Sequence, residues 1–325
     1  MDFRISDEQR AIADLAADIF AGDGDAPPAW GVLAEAGLPQ LLVPEAHGGV
    51  GLGQIELSLM LIEQGRGLVA SSLWRHAVAA LALAGTAMDD MGRLTLAIES
   101  DAVATRSGAG WRLQGMVLAV PDAAEASRVV VPALVEGTIA LFAVDPDAAG
   151  VVRRDGILTD GEVASDLIFS DASAQSLGLD GGWLRARAAA CVSALAVGVA
   201  RGAVERTAAY VGARQQFGRP IGSFQAVAQR LADCFTDVEV AQTLALELAW
   251  RIDTGAEPGN IVEVATYWAN QCSHRVAHAA MHLHGGVGAD TSYPIHRVLL
   301  MSRALELMLG GSRRQIARIG ERLAA

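Results

Sequence analysis

Lysine is absent: all 25 basic residues of this 325-residue chain are arginine. That excludes a Schiff-base lysine and a phosphate-loop lysine from any mechanism. Positive charge is also in the minority, 25 basic residues against 37 acidic ones, for a net charge of −12. Nucleic-acid affinity rests on clustered arginine and lysine, so that class of partner is excluded too. Cysteine is scarce and odd in number. Cys191, Cys234 and Cys272 lie far apart, each in an apolar helical pattern, and are expected to be buried, reduced thiols of a reducing compartment. The first residues, Met1-Asp2-Phe3-Arg4-Ile5-Ser6-Asp7-Glu8, have no apolar core and do not read as a signal peptide. The longest weakly apolar run, 188–200, is interrupted by Ser193 and is shorter than the ~20 residues that cross a bilayer. The expectation is a soluble, cytoplasmic chain without a membrane partner. What is abundant is apolar: 52% of residues are hydrophobic and 19% charged, enough for a sizeable core, on a length that suits two or three domains.

Along the chain the pattern is helical, then extended, then helical again. Ser6 with Gln9 makes a capping box, followed by Ala11, Ile12, Leu15, Ile19 and Phe20 at helical spacing. Pro27-Pro28 opens a short helix that ends at Gly37, and helices resume over 55–64 and 71–83. Near Arg93 short β-type runs begin, at 94–98, 111–120, 129–134, 138–144 and 166–169, punctuated by Gly, Asp and Pro. From Trp183 the pattern is helical to the end, over 183–213, 225–252, 260–283, 294–309 and 312–323, with a second capping box at Ser312 and Gln315. The reading is a mostly α chain with a β insert. An N-terminal helical domain spans 1–91, a small middle β-barrel or sandwich 92–180, and a C-terminal helical bundle 181–325.

Three features carry chemistry. Arg214-Gln215-Gln216-Phe217-Gly218-Arg219-Pro220-Ile221-Gly222-Ser223-Phe224-Gln225 separates two long helices, and Gly218, Pro220 and Gly222 break helical continuity. An arginine with two aromatics at a helix end suits a flat, phosphate-bearing ligand or a partner chain. It equally suits a plain connector whose phenylalanines plug the core. His274, His278 and His282 recur every fourth residue on one helix face. No carboxylate or cysteine stands at a usual third-ligand spacing, so the expectation is no metal site and histidines packed in a polar groove. His284-Gly285-Gly286-Val287-Gly288 ends that helix, where glycine permits close backbone approach or simply a cap.

The helical–β–helical order and these motifs resemble the acyl-CoA dehydrogenase family. The resemblance rests on Arg214-x-Gln216-Phe217-Gly218-x-Pro220-Ile221 with Phe224-Gln225, and on Gly285-Gly286-x-Gly288 followed by Tyr293-Pro294. Leu42-Val43-Pro44-Glu45, Gly48-Gly49, Glu63 and Gly65-Arg66 extend it over nearly the whole chain. The resemblance implies a family fold whose C-terminal part is a four-helix bundle, and FAD-dependent α,β-dehydrogenation of an acyl-CoA thioester. It also implies a cofactor shared across a subunit interface. Arg214 would pair with the FAD diphosphate of the neighbouring chain, flanked by Gln216 and Phe217. Gln225 would contact the adenine side, and His282, Leu283, His284, Gly285 and Gly286 would approach through the backbone. The family usually has glutamine at the position of His282.

The departures concern catalysis. The family's glutamate falls sixteen residues after the tyrosine of Tyr-Pro, which is Leu309 here; the alternative position, twenty-six residues before Arg214, is Ala188. Neither can accept a proton. The Thr-Glu-Pro…Gly-Ser-Asp segment has no counterpart, and Ala119-Val120-Pro121 stands where Trp-Ile-Thr backs the flavin. The chain therefore resembles the catalytically incomplete subunit of heteromeric, α2β2 actinobacterial members that act on steroid acyl-CoA thioesters. That implies a full-length paralogue as partner and an electron-transfer flavoprotein as electron acceptor. The alternatives are a homomeric enzyme with a displaced base, Glu306, and a purely structural subunit.

Overall fold

The computed structural model describes residues 4–21, 28–86, 92–108 and 110–324. They form helical N- and C-terminal parts around a middle sheet, in the chain order read from the sequence. Pro27 lies outside the described residues. The chain divides into two compact units, one of Met1–Pro28, Gln54–Ala70 and Ala189–Ala325, the other of Ala29–Gly53 and Ser71–Ala188.

The first unit is helical. α1 (Asp7–Ile19) starts at the expected capping box: the Ser6 side chain accepts from the Gln9 amide, and Gln9 returns a bond to the Ser6 amide. α3 (Gln54–Arg66) and α5 (Gly181–Ala213) approach closely through glycine. A Cβ on Gly65 would lie 2.3 Å from the Leu195 carbonyl oxygen, and one on Gly198 2.1 Å from that of Ile62. Only hydrogen fits between these two backbones. α5 has 33 residues and contains the 188–200 run, within two residues of the expected 183–213 helix. By length and composition α5 could cross a bilayer, but its apolar window is 83% buried within the protein. α6 (Gln225–Asp253), α7 (Ile261–His284), α8 (Ile295–Met308) and α9 (Gly311–Ala324) complete the unit. The second capping box does not form. Ser312 lies inside α9 and its hydroxyl accepts from Gln271, while Gln315 donates to the carbonyl of Leu309 at 2.7 Å. Gln315 is buried, and it is better satisfied by the open carbonyls behind α8 than by an exposed amide.

The second unit holds α2 (Trp30–Glu35), α4 (Leu73–Leu83) and the sheet. The strands are β1 (Leu94–Leu96), β2 (Val103–Ser107), β3 (Gly110–Pro121), β4 (Arg128–Val135), β5 (Thr138–Val144), β6 (Val151–Ile157) and β7 (Val163–Asp180). Pairing runs β4–β2–β3–β7–β5 and returns from β5 to β4, so five strands close a barrel; β1 adds to β4 and β6 to β7. Closure removes the open edges of these five strands. Leu113, Val117, Val129, Val131, Phe142, Val144, Leu167 and Phe169 fill the interior. β2 and β6 do not stand out in the sequence. Each is mostly exposed, and Val-Val-Arg-Arg-Asp-Gly-Ile in β6 shows no alternation to detect. All three cysteines are free and buried, and burial pushes the Cys272 thiol up to about 12.

Candidate cofactor half-site at the end of the helical bundle

The Arg214–Phe224 segment is a hairpin standing on the end of α5. β8 (Gln215–Gln216) pairs with β9 (Arg219–Pro220), Gln216 opposite Arg219. The two residues between them, Phe217 and Gly218, have φ of +53° and +77°. Two positive φ values in a two-residue loop define the type I′ turn, which suits Gly at the second position but strains Phe at the first. The Ile221 amide closes the loop onto the Arg214 carbonyl at 2.8 Å, and the Arg214 amide continues α5 to Tyr210.

This geometry bears on the reading of the turn as a plain connector. Phe217 is 90% exposed, so it plugs no core. Its ring meets Phe224 edge-on at 6.1 Å, and the Arg219 guanidinium lies 4.1 Å above the Phe224 ring. Arg214, Gln216 and Gln225 are exposed. Among the described residues no hydrogen bond or ion pair engages the Arg214 guanidinium. Gln225 opens α6, and its N-cap residue, Phe224, supplies no side-chain cap. Val227 and Ala228 donate to the Phe224 carbonyl, so among the described residues only the Gln225 and Ala226 amides of this 29-residue helix's first turn are left open, at the same place as a free arginine and an exposed aromatic ring.

The end of α7 is fastened to this platform by Tyr210. Its ring stacks on His284 at 4.3 Å, and its hydroxyl donates to the His284 carbonyl at 3.4 Å. His284 is buried, and its Nδ1 donates to the Ala280 carbonyl at 2.8 Å. Nε2 is thereby left to accept the Tyr293 hydroxyl at 3.4 Å. Burial holds the imidazole pKa below its ordinary value, outweighing the Ala280 hydrogen bond. The His284 side chain is thus committed inward. What faces outward is His282, with Gly285 and Gly286, while Leu283 is half-buried. Gly285 adopts φ 61°, ψ −138°, a region open to glycine alone, and a Cβ on either glycine would meet no atom within 4 Å. The structure so brings Arg214, Gln216, Phe217 and Gln225 to the same bundle end as the 282–286 segment. Tyr210 is the residue the sequence reading missed. Its signal is the spacing, one helical turn before Arg214, and that two of only three tyrosines, Tyr210 and Tyr293, clasp one histidine.

Of the catalytic positions, Leu309 and Ala188 are buried and aliphatic. Glu306 is largely shielded, and its Oε2 accepts from Arg303 at 2.6 Å, with His274 Nδ1 3.6 Å away. That carboxylate is already neutralised by a cation. His274 and His278 are exposed rather than packed in a groove, their rings 4.4 Å apart. Among the described residues no group of three His, Cys, Asp or Glu is arranged to hold a metal. In the sheet, Ala119 sits on a β3 bulge at φ +53° with its amide on Asp166, and Leu118 is 62% exposed beside it. None of the residues paired around that bulge, Val117 and Val120 with Ser165 and Leu167, is aromatic.

Comparison with known proteins gives the family. Models of the acyl-CoA dehydrogenase N-terminal and C-terminal domains match residues 7–93 and 185–324. Acyl-CoA dehydrogenase FadE27 of Mycobacterium tuberculosis (strain ATCC 25618 / H37Rv) is 33% identical over 326 residues, covering 91% of this chain and 87% of its own. The chain belongs to the acyl-CoA dehydrogenase family. Two solved relatives are two-component assemblies. The Tcur3481–Tcur3483 steroid ACAD (G363A variant) is 34% identical, with TM-score 0.92 and 99% of both chains covered. The ChsE4–ChsE5 complex of M. tuberculosis is 31% identical, with TM-score 0.90, covering 100% of this chain and 99% of the other. The family is FAD-binding, and its members are flavin-dependent oxidoreductases. The residues at the bundle end fit the anionic part of that cofactor: an unengaged guanidinium fork, an exposed ring and an open glycine backbone.

Proposed function

We propose that this chain is a subunit of a heteromeric, FAD-dependent acyl-CoA dehydrogenase, and that it lends the diphosphate and adenine half of each FAD site to a full-length paralogue. The observation that carries this reading is the pairing of an equipped half-site with two aliphatic base positions. Arg214, Phe217, Gly285 and Gly286 are exposed, and among the described residues the Arg214 guanidinium has no partner, while Leu309 and Ala188 offer no proton acceptor. When bound, FAD supplies the two-electron acceptor for α,β-dehydrogenation of an acyl-CoA thioester. This chain's part is binding and orientation. Arg214, with its charged fork, would hold the diphosphate, and Phe217, Gln216 and Gln225 would flank it. His282, Gly285 and Gly286 would contribute to the same site. The paralogue provides the carboxylate base and the acyl pocket. Two-component relatives above 30% identity support the heteromer, and the steroid ACAD among them supports a bulky, polycyclic acyl-CoA. An electron-transfer flavoprotein is the proposed electron acceptor.

The test is the visible flavin spectrum of this chain purified alone and after co-expression with its nearest full-length paralogue. The expected result is no flavin alone and one FAD per pair of chains together. Stoichiometric flavin in the isolated chain would overturn the shared site.

A further inference from the structure

Two of the histidines that recur along α7 are brought together. His274 and His278 are both exposed, one turn apart, with ring centroids separated by 4.4 Å and planes tilted by 53°. Val276, Ala277, Ala279 and Ala280, between and beside them, are buried. The backbone that carries both rings is therefore fixed by packing, so a ligand shared by the two pays little to order them.

The ring separation selects the kind of ligand. A metal–imidazole bond is about 2.0 Å and a ring nitrogen lies about 1.1 Å from its centroid, which puts a bound ion about 3.1 Å from each centroid. Centroids 4.4 Å apart then subtend about 90° at the ion. A tetrahedral ion, at about 109°, would hold them about 5 Å apart. Neighbouring positions of a square-planar or tetragonal shell meet at about 90°, the geometry of Cu(II) and Ni(II). Water completes such a shell, so two protein ligands are enough.

α8 supplies the support behind one ring. Glu306 Oε2 lies 3.6 Å from His274 Nδ1 and accepts from Arg303 at 2.6 Å. The carboxylate draws the ring proton to Nδ1 and leaves the Nε2 lone pair for a metal, the way ligating histidines are commonly oriented. Arg303 holds the carboxylate in that outer position. Spacing along α7 could not show this group, because it comes from another helix.

We propose that His274 and His278 form a binding site for a tetragonal divalent ion, Cu(II) before Ni(II), with Glu306 as the residue that orients His274. Cu(II) binds nitrogen ligands more tightly than its divalent neighbours. The site is separate from the cofactor half-site, to which His282, one turn further along α7, is assigned.

The experiment is Cu(II) titration of the full chain, prepared without an affinity tag, against a competing chelator, with electron paramagnetic resonance of the loaded protein. Wild type is expected to take up one Cu(II) with coupling to two nitrogens, and to bind Ni(II) more weakly. Glu306→Ala should keep both nitrogens and weaken Cu(II) binding about tenfold or more. His274→Ala and His278→Ala should each lose the coupling to one nitrogen and weaken binding further than Glu306→Ala does. His282→Ala should bind as wild type. Both ligands are exposed, so neither substitution removes packing from the core. The proposal is overturned if wild type binds no stoichiometric Cu(II), if the doubly substituted His274→Ala, His278→Ala chain keeps it, or if His282→Ala costs as much as His274→Ala. Unchanged affinity in Glu306→Ala would overturn the orienting role.

Discussion

Replacing Arg214 tests the proposed diphosphate contact separately from folding. Its guanidinium is exposed and has no partner among the described residues, so truncation to Ala removes nothing the fold relies on. Surface substitutions of that kind stay within about 0.5 kcal/mol of wild type in stability. The cofactor side is different. Hydrogen bonds to charged groups contribute about 1.5–3 kcal/mol each, and a fork on a diphosphate makes two that are not fully additive. Removing both should cost about 2–4 kcal/mol of FAD binding, which is a ~30- to ~800-fold rise in Kd. Arg214→Lys keeps the charge and loses the fork, so about half of that free energy, a ~5- to ~30-fold rise, is expected. The assay is FAD titration of the apo-complex with the paralogue, followed by flavin fluorescence, alongside urea denaturation of this chain. An unchanged Kd in Arg214→Ala would refute the diphosphate role. A large drop in stability would refute the premise that the side chain is unengaged.

Glu306→Gln should change turnover of the complex by less than about twofold, since Arg303 already occupies that carboxylate; a loss of ~100-fold or more would identify it as the base. Gly198→Ala places a methyl group 2.1 Å from the Ile62 carbonyl oxygen, forcing α3 and α5 apart. It should destabilise by about 1–3 kcal/mol, read as a lower denaturant midpoint at unchanged slope. A wild-type midpoint would contradict the close crossing. His76 is buried beneath β1, its Nδ1 accepting the Leu94 amide, and burial followed by the Arg93 charge lowers its pKa from 6.5 to about 4. Between those values the unfolded chain takes up a proton that the folded chain refuses. This contribution to stability is therefore complete above pH 6.5 and is lost as pH falls toward 4, at up to ~1.4 kcal/mol per pH unit. His76→Gln should flatten that slope, and an equally steep slope in the variant would show that another group is responsible.

The helices, most strands and the Arg214–Phe224 turn were legible in the sequence because each is a local matter. Ser6 and Gln9 form their box wherever a helix follows, since both partners lie within one turn. Gly218 and Pro220 end α5 by chemistry that needs no neighbour. The absence of a carboxylate at Leu309 and Ala188 is fixed by identity alone. Where local signals compete, the sequence left the answer open. Ser312 and Gln315 carry the same box as Ser6 and Gln9, yet other partners claim both: Gln271, 41 residues away, takes the serine, and the carbonyl of Leu309, at the end of the preceding helix, takes the glutamine. β2 and β6 take their place from neighbouring strands rather than from an apolar pattern of their own. Whether Phe217 was a core plug or an exposed ring depended on the sign of one backbone angle, and only the β8–β9 pairing set it. Tyr210 and His284 stand 74 residues apart and meet because α5 and α7 end at the same place. Composition and spacing thus determined where an arginine fork is available and which positions cannot take a proton. Tertiary structure decided which of them stand together, and which are already spent on one another, because long-range contacts are set by packing and not by the chain's own period.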